Sequence, residues 1–287
     1  MKSIEIKAPA KINAGLFITS KRDDGFHNIE TIFYPVAGLY DTLSLKVADS
    51  FSFSTDSPVL SSDTGSNLVV KAARLFAART GSDNFISFRT HLIKRIPMGA
   101  GLGGGSSDAA AMLLALNELN GGIFDQAGLR EMGLQLGSDV PFFIKPGPLF
   151  ASGRGEIFEE CRLRLDSSFI LIVNPGIHIS TPWAYKNCRP SHAPFDLREL
   201  TSLRLKRRQY KTDTLNDFER IVFPEYPLIQ RIKETMLQNG AYTANMSGSG
   251  SSVFGLFERK RTAVECSKKF DPAHVIYTGS LRNDYLT

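Results

Sequence analysis

Branched and aromatic residues recur at short intervals in four early runs, residues 3–7, 12–19, 30–36 and 42–47, each bounded by turn-forming residues. This pattern predicts a sheet built at the start of the chain. The period then lengthens: Leu68, Val69, Ala72, Ala73, Leu75 and Phe76 fall on one side of a helix, with Ser66 placed to cap it. Residues 85–93 alternate again as a strand that Pro97 ends, and the alanine and leucine content of 107–119 predicts a buried helix. The order there is strand, glycine-rich loop, helix.

Glycine and proline crowd residues 145–155, and a new apolar strand begins at 169–173. A domain boundary near residue 152 is expected, giving residues 1–152 and 153–287. The second half adds a polar, proline-containing stretch at 189–211, a helical pattern at 228–237, a second glycine-serine loop at 247–252 and a strand at 253–257. Strands and helices mix without the regular alternation of a parallel sheet, so the fold class is α+β. The length of 287 residues fits two compact units, each with its own core.

Composition narrows the function classes. With 42% hydrophobic and 22% charged residues the chain reads as globular. Lys2, Glu5 and Lys7 interrupt any apolar leader, and no stretch approaches the ~20 apolar residues of a membrane span. A cytoplasmic protein is expected. Cys161, Cys188 and Cys266 are odd in number and widely spaced, which suits reduced thiols. The net charge of +5 suggests acidic partners without choosing among them. The basic run at Lys206 and Arg207, continued by Arg208, lacks interleaved stacking aromatics and reads as a solvated face, not a nucleic-acid site. His91, His178, His192 and His274 have no mutual spacing that would support zinc or a serine-histidine triad.

The strongest local signal is Pro97-Met98-Gly99-Ala100-Gly101-Leu102-Gly103-Gly104-Gly105-Ser106-Ser107-Asp108. Its glycines let main chain approach a ligand closely, and where it enters the helix the first amides lack helical acceptors and favour an anion. Ser106 and Ser107 add hydroxyls for phosphate oxygens or magnesium. Gly99, Gly101 and Gly104 also satisfy the dinucleotide pattern G-x-G-x-x-G, but the acidic residue that should close a second strand about 20 residues on is missing. A Walker loop is absent, since no Gly-Lys dipeptide occurs.

This loop, taken with Ala8-Pro-Ala-Lys-Ile-Asn13 before it and Asn245-Met-Ser-Gly-Ser-Gly-Ser-Ser252 after it, resembles the three ordered motifs of the GHMP kinases. The resemblance implies a first domain like the second domain of ribosomal protein S5, a ferredoxin-like second domain, and phosphorylation of a small alcohol by ATP with Mg2+. It implies Lys11 and Asp139 as catalytic residues, Asn67 and Lys94 beside adenine, and Pro97 to Ser107 around the phosphates. On the substrate side, Arg22-Asp-Asp-Gly-Phe-His27, Leu136-Gly-Ser-Asp-Val-Pro141 and Thr181-Pro-Trp-Ala-Tyr185 resemble family members whose alcohol is an erythritol carried on cytidine diphosphate. That likeness assigns Asn13, Phe26, His27, Thr181 and Tyr185 to the substrate, with Phe26 and Tyr185 stacking on cytosine and His27 reading its edge. Relatives commonly carry tyrosine at the position of Phe26, so the stacking face is kept here and a hydroxyl lost. A homoserine- or mevalonate-type kinase, a non-catalytic nucleotide sensor and an RNA-binding protein are the rival readings. Neither the protein ligands of magnesium nor the oligomeric state follows from the sequence.

Overall fold

The computed structural model describes residues 3–61, 65, 67–81, 88–207 and 214–282. The chain forms two compact units that interleave in sequence. The first comprises Met1–Ala10, Leu39–Met98 and Gly103–Pro146; the second comprises Lys11–Gly38, Gly99–Leu102 and Gly147–Thr287.

Two long strands, β1 (Ser3–Lys21) and β2 (His27–Val47), pair with each other and replace the four short runs that the apolar pattern predicts. The expected break falls at Pro9 in β1 and at Gly38 and Asp41 in β2. A proline removes one ladder donor without ending an extended strand, so turn-like composition overstated the breaks.

In the first unit, β3 (Ser52–Thr55) runs parallel to β4 (Phe88–Ile93), and β4 pairs antiparallel with the end of β2, from Thr42 opposite Ile93 to Val47 opposite Phe88. After a short α1 (Pro58–Ser61) comes α2 (Leu68–Thr80), which buries Val69, Val70, Ala72, Ala73 and Phe76. Its cap is Asn67, whose side-chain oxygen accepts from the Val69 amide at 2.8 Å. Ser66, the expected cap, and residues 85–87 of the expected strand lie outside the described residues. Helix α3 (Gly104–Leu119) is apolar around most of its circumference and buried, with α2 and α5 (Val140–Ile144) packed on it and α4 (Gln126–Leu136) beside them.

In the second unit, Thr31 to Phe33 of β2 pair with β5 (Leu149–Ser152), which pairs in turn with β6 (Ile157–Glu160). A separate antiparallel sheet has the order β10-β7-β9-β8, from β7 (Phe169–Val173), β8 (Thr243–Met246), β9 (Val253–Phe257) and β10 (Val275–Ser280). The helices are α6 (Thr181–Asn187), α7 (Ser202–Lys206), α8 (Glu219–Glu225), α9 (Pro227–Gln238) and α10 (Lys260–Ser267). The core joins Leu171, Val173 and Val253 of the sheet to Phe218, Ile229 and Met236. Each such side chain contributes about 1.5–3 kcal/mol by leaving water.

Among the described residues, no helix is long and apolar enough to cross a membrane, and no group of three or more His, Cys, Asp or Glu side chains is placed to hold a metal. The three cysteines are free. Of the basic run, Lys206 pairs with Glu258 at 3.1 Å, while Arg208 lies outside the described residues.

Candidate active site

In the second unit three distant stretches of sequence meet at Ser247. Its hydroxyl accepts from the Asn13 amide at 3.2 Å and donates to the Gly101 carbonyl at 2.9 Å. Main-chain bonds reinforce this union: the Lys11 amide donates to Leu102 at 2.9 Å, and the Ser252 amide to Ala100 at 3.3 Å. Gly101 is required at its position. It has φ +76°, and a Cβ there would collide with the Ser247 carbonyl oxygen.

Lys11 is only 4% exposed, and its ammonium donates to the Asn13 side-chain oxygen at 2.6 Å while lying 5.0 Å from the centre of the Phe33 ring. The Asn13 amide nitrogen donates to Thr31 at 2.8 Å, and Thr31 donates to the Gly15 carbonyl at 2.6 Å. A buried ammonium must be held by oxygens, and this chain fixes its direction.

In the first unit the loop becomes α3. Gly103 is left-handed at φ +74°, and the first helical bond runs from the Ser107 amide to the Gly103 carbonyl at 2.9 Å. The amides of Gly104, Gly105 and Ser106 precede that bond, so the start of α3 favours an anion. The Ser107 hydroxyl, one oxygen of Asp108 and the Asn67 amide nitrogen are buried without a hydrogen-bond partner. Buried polar atoms are nearly always satisfied, so orphans gathered near two helix starts suit a polar ligand. The Ser107 hydroxyl also suits an oxygen-seeking Mg2+ ion carried by a nucleotide.

Lys94 is engaged by two buried carboxylates, bonding Asp108 at 2.7 Å and also Asp41. Burial pulls the Lys94 ammonium toward deprotonation, but Asp108 and Asp41 outweigh it and its pKa is raised. Burial pushes the Asp108 carboxyl above the ordinary range; Lys94 opposes this and the neighbouring Asp41 adds to it. Asp41 also accepts from the Ile96 amide at 2.9 Å, tying the trio to the segment that enters the loop. Asp139 stands at the start of α5.

Of the substrate-side residues, His27 lies stacked on Tyr185 with ring centres 5.1 Å apart and planes at 24°. Tyr185 meets Phe218 edge-on at 5.0 Å. Burial, with help from Lys21, keeps His27 below its ordinary pKa and so favours the neutral ring. Phe26 is 51% exposed, and the Arg154 guanidinium lies 4.8 Å from its ring centre. Thr181 opens α6 and its hydroxyl is 3.0 Å from that of Ser249.

Sequence reasoning missed Asp41, Thr31 and Arg154. Their partners are distant in the chain and leave no local spacing; the motif Asn245 to Ser252 contains Ser247 but gives it no role.

Residues 67–147 match the family described as GHMP kinases N terminal domain, and residues 202–275 match GHMP kinases C terminal. The chain belongs to the GHMP kinase family. Within it, the chain is 44% identical over 250 residues to the 4-diphosphocytidyl-2-C-methyl-D-erythritol kinase of Parabacteroides distasonis, covering 87% of this chain and 90% of that one. The crystal structure of a 4-(cytidine 5'-diphospho)-2C-methyl-D-erythritol kinase has a TM-score of 0.78 at 32% identity, covering 96% of this chain and 98% of that one. Homoserine kinase from Cytophaga hutchinsonii, with a TM-score of 0.74 at 18% identity over 98% of this chain and 95% of that one, shares the fold. The two-domain α+β expectation agrees with these matches.

Proposed function

We propose that this chain is a cytoplasmic enzyme that transfers the γ-phosphoryl group of ATP to the 2-hydroxyl of 4-diphosphocytidyl-2-C-methyl-D-erythritol, in the methylerythritol phosphate route to isoprenoid precursors. The observation that carries the reading is the 44% identity to a kinase of that name across 87% of the chain. The union of Lys11, Asn13 and both glycine loops around Ser247 supports it, because phosphoryl transfer depends on positioning and on fixed charge.

In this reading residues 1–152 bind the nucleotide and 153–287 serve the substrate side. The amides at the start of α3 and the loop Pro97 to Ser107 hold the phosphates, and Asn67 and Lys94 border the adenine. Mg2+ arrives with ATP and neutralises phosphate charge; the Ser107 hydroxyl is the protein oxygen offered to it. Asp139 accepts the proton of the attacking hydroxyl, and the Lys11 ammonium stabilises charge on the transferred group. Phe26 and Tyr185 stack on cytosine, His27 recognises its edge, and Asn13 and Thr181 hold the alcohol and diphosphate.

ADP release measured with Mg-ATP and three alcohols tests the assignment. Rapid turnover is expected with the diphosphocytidyl-methylerythritol and little with homoserine or mevalonate; equal rates with all three would retract the substrate. In the same assay Asp139→Asn is expected to bind ATP yet lose roughly 10²–10⁴ in turnover. Near-normal turnover would remove its role.

A further inference from the structure

The segment 214–219 belongs to none of the motifs above, yet it ties strand β1 to the second glycine loop. Its backbone bonds β1 twice, from the Leu16 amide to the Leu215 carbonyl at 2.7 Å and from the Asp217 amide to the Leu16 carbonyl at 3.0 Å. The Asp217 carboxylate accepts from the Ile18 amide at 2.8 Å. Asn216 itself is fully buried and has every polar group engaged. Its side-chain nitrogen donates to the carbonyls of Met246 at 2.7 Å and Gly248 at 2.9 Å, and its oxygen accepts from the Phe218 amide at 3.0 Å. Glu219, also buried, holds the Met246 amide at 2.8 Å and is neutralised by Lys233.

The two carbonyls that Asn216 grips flank Ser247, the residue that joins Asn13 to Gly101. We infer that Asn216 is a positioning residue for catalysis: it fixes Ser247, and through Ser247 it fixes the phosphate loop at Gly101 and the asparagine that aims Lys11. Only a carboxamide supplies two donors and an acceptor in this planar geometry, and the extra methylene of glutamine would carry it past the two carbonyls in so tightly buried a site. Aspartate would place oxygens against two carbonyl oxygens, and alanine would leave both carbonyls without the amide. The inference rests on the kinase reading for its effect on rate, but the bracing itself is independent of that reading.

The test compares Asn216→Ala with Ile229→Ala, a core change in the same unit that removes no hydrogen bond to the loop. Melting temperature, kcat and KM are measured for both, with hydrogen exchange of the peptide spanning 247–252 in the nucleotide-free protein. Asn216→Ala is expected to lower kcat by roughly 10- to 100-fold with KM for the cytidylyl alcohol within about threefold, and to speed exchange at 247–252. Ile229→Ala is expected to lose as much thermal stability with kcat within about twofold. If the two variants lose kcat in proportion to their melting temperatures, or if the Asn216 effect falls wholly on KM, the positioning role is overturned. Should Asn216→Ala fail to fold, Asn216→Ser, which keeps one donor, is read by the same criteria. If the wild type itself turns over no cytidylyl alcohol, the kinase reading fails, and unchanged exchange at 247–252 in the variant would separately overturn the brace.

Discussion

The two glycine-serine loops have nearly the same composition and opposite construction. In the second loop the serines are engaged by the protein. Ser247 bonds Asn13 and Gly101, Ser249 meets Thr181, and Asn174 donates to Ser251 at 3.3 Å and Ser252 at 2.9 Å. The loop joins two strands, and its ends close on each other through the Ser247 amide and the Ser252 carbonyl at 2.9 Å. The first loop instead opens into α3, a helix of 16 residues, and leaves the Ser107 hydroxyl buried without a partner. One loop is a brace whose serine hydroxyls are satisfied; the other, in the proposed function, is a receptor with polar groups in reserve. Glycine content alone does not separate the two, whereas the hydrogen-bond ledger does.

The largest effect that would probe this contrast lies where the loops touch. Gly101→Ala combines a strained φ of +76° with a collision against main chain at Ser247, which cannot rotate away. Gly248→Ala also carries a positive φ, +55°, but its Cβ would stand 3.3 Å from the Gly101 Cα, tight yet admissible after a small shift. Gly101→Ala is expected to cost on the order of 100-fold or more in turnover. Gly248→Ala should cost about 1–2 kcal/mol of stability and only a few-fold in rate. ADP-release rates beside thermal melts decide it, and equal losses at both positions would mean that the loops are interchangeable parts of one surface.

That contact shows what local sequence can and cannot reveal. Helix α3, strand β7, helix α9 and strand β9 follow from periodicities contained within each element, and the glycine run marks the loop before α3 without outside help. The joined pairs were not legible in this way. Asn13 and Ser247 stand 234 positions apart, and Gly101 and Ser247 stand 146 apart. Nothing in the spacing around Asp41 announces that its carboxylate will hold Lys94, nor around Asn216 that its amide will grip the second loop. The order of the motifs came from family resemblance; their convergence is a property of the fold. The misread of β1 and β2 as four strands has the same origin, since Pro9 in one extended strand and Gly38 in the other look locally like boundaries.

A second difference sits behind the first loop alone, in the trio Asp41, Lys94 and Asp108. One ammonium faces two buried carboxylates, and burial leaves Asp108 with a raised pKa. The folded protein therefore holds the Asp108 proton more tightly than the unfolded chain does. Its contribution to stability is fully present below the ordinary carboxylate value near ~4 and is lost as the pH rises toward the raised value, with no further change above it. Asp108→Asn removes this loss and leaves Lys94 with Asp41. Denaturant midpoints followed from acid to neutral pH should show the variant gaining on the wild type as the pH rises. Parallel profiles would mean that Asp108 titrates as it does in the unfolded chain.

The smallest effect gives the most direct reading of the receptor loop. Gly105 lies in the first turn of α3, its φ is not in the left-handed region, and a Cβ there meets only Leu68 at an ordinary 3.7 Å. Neither strain nor packing forbids alanine, and alanine in a helix is favoured over glycine by about 0.5–1 kcal/mol. Stability alone would select it. If the exposed main chain at Gly105 is kept bare for phosphate, Gly105→Ala should raise the melting temperature slightly and raise KM for ATP by a few-fold, a gain and a loss from one methyl group. No position in the second loop is expected to divide the two readouts in this way, because the amides of Ser247, Gly250 and Ser252 and the carbonyl of Gly248 are already bonded within the protein. A variant at Gly105 that is both more stable and unchanged in its affinity for ATP would place the phosphates away from the helix start, and the distinction between brace and receptor would then have to rest on Gly101 alone.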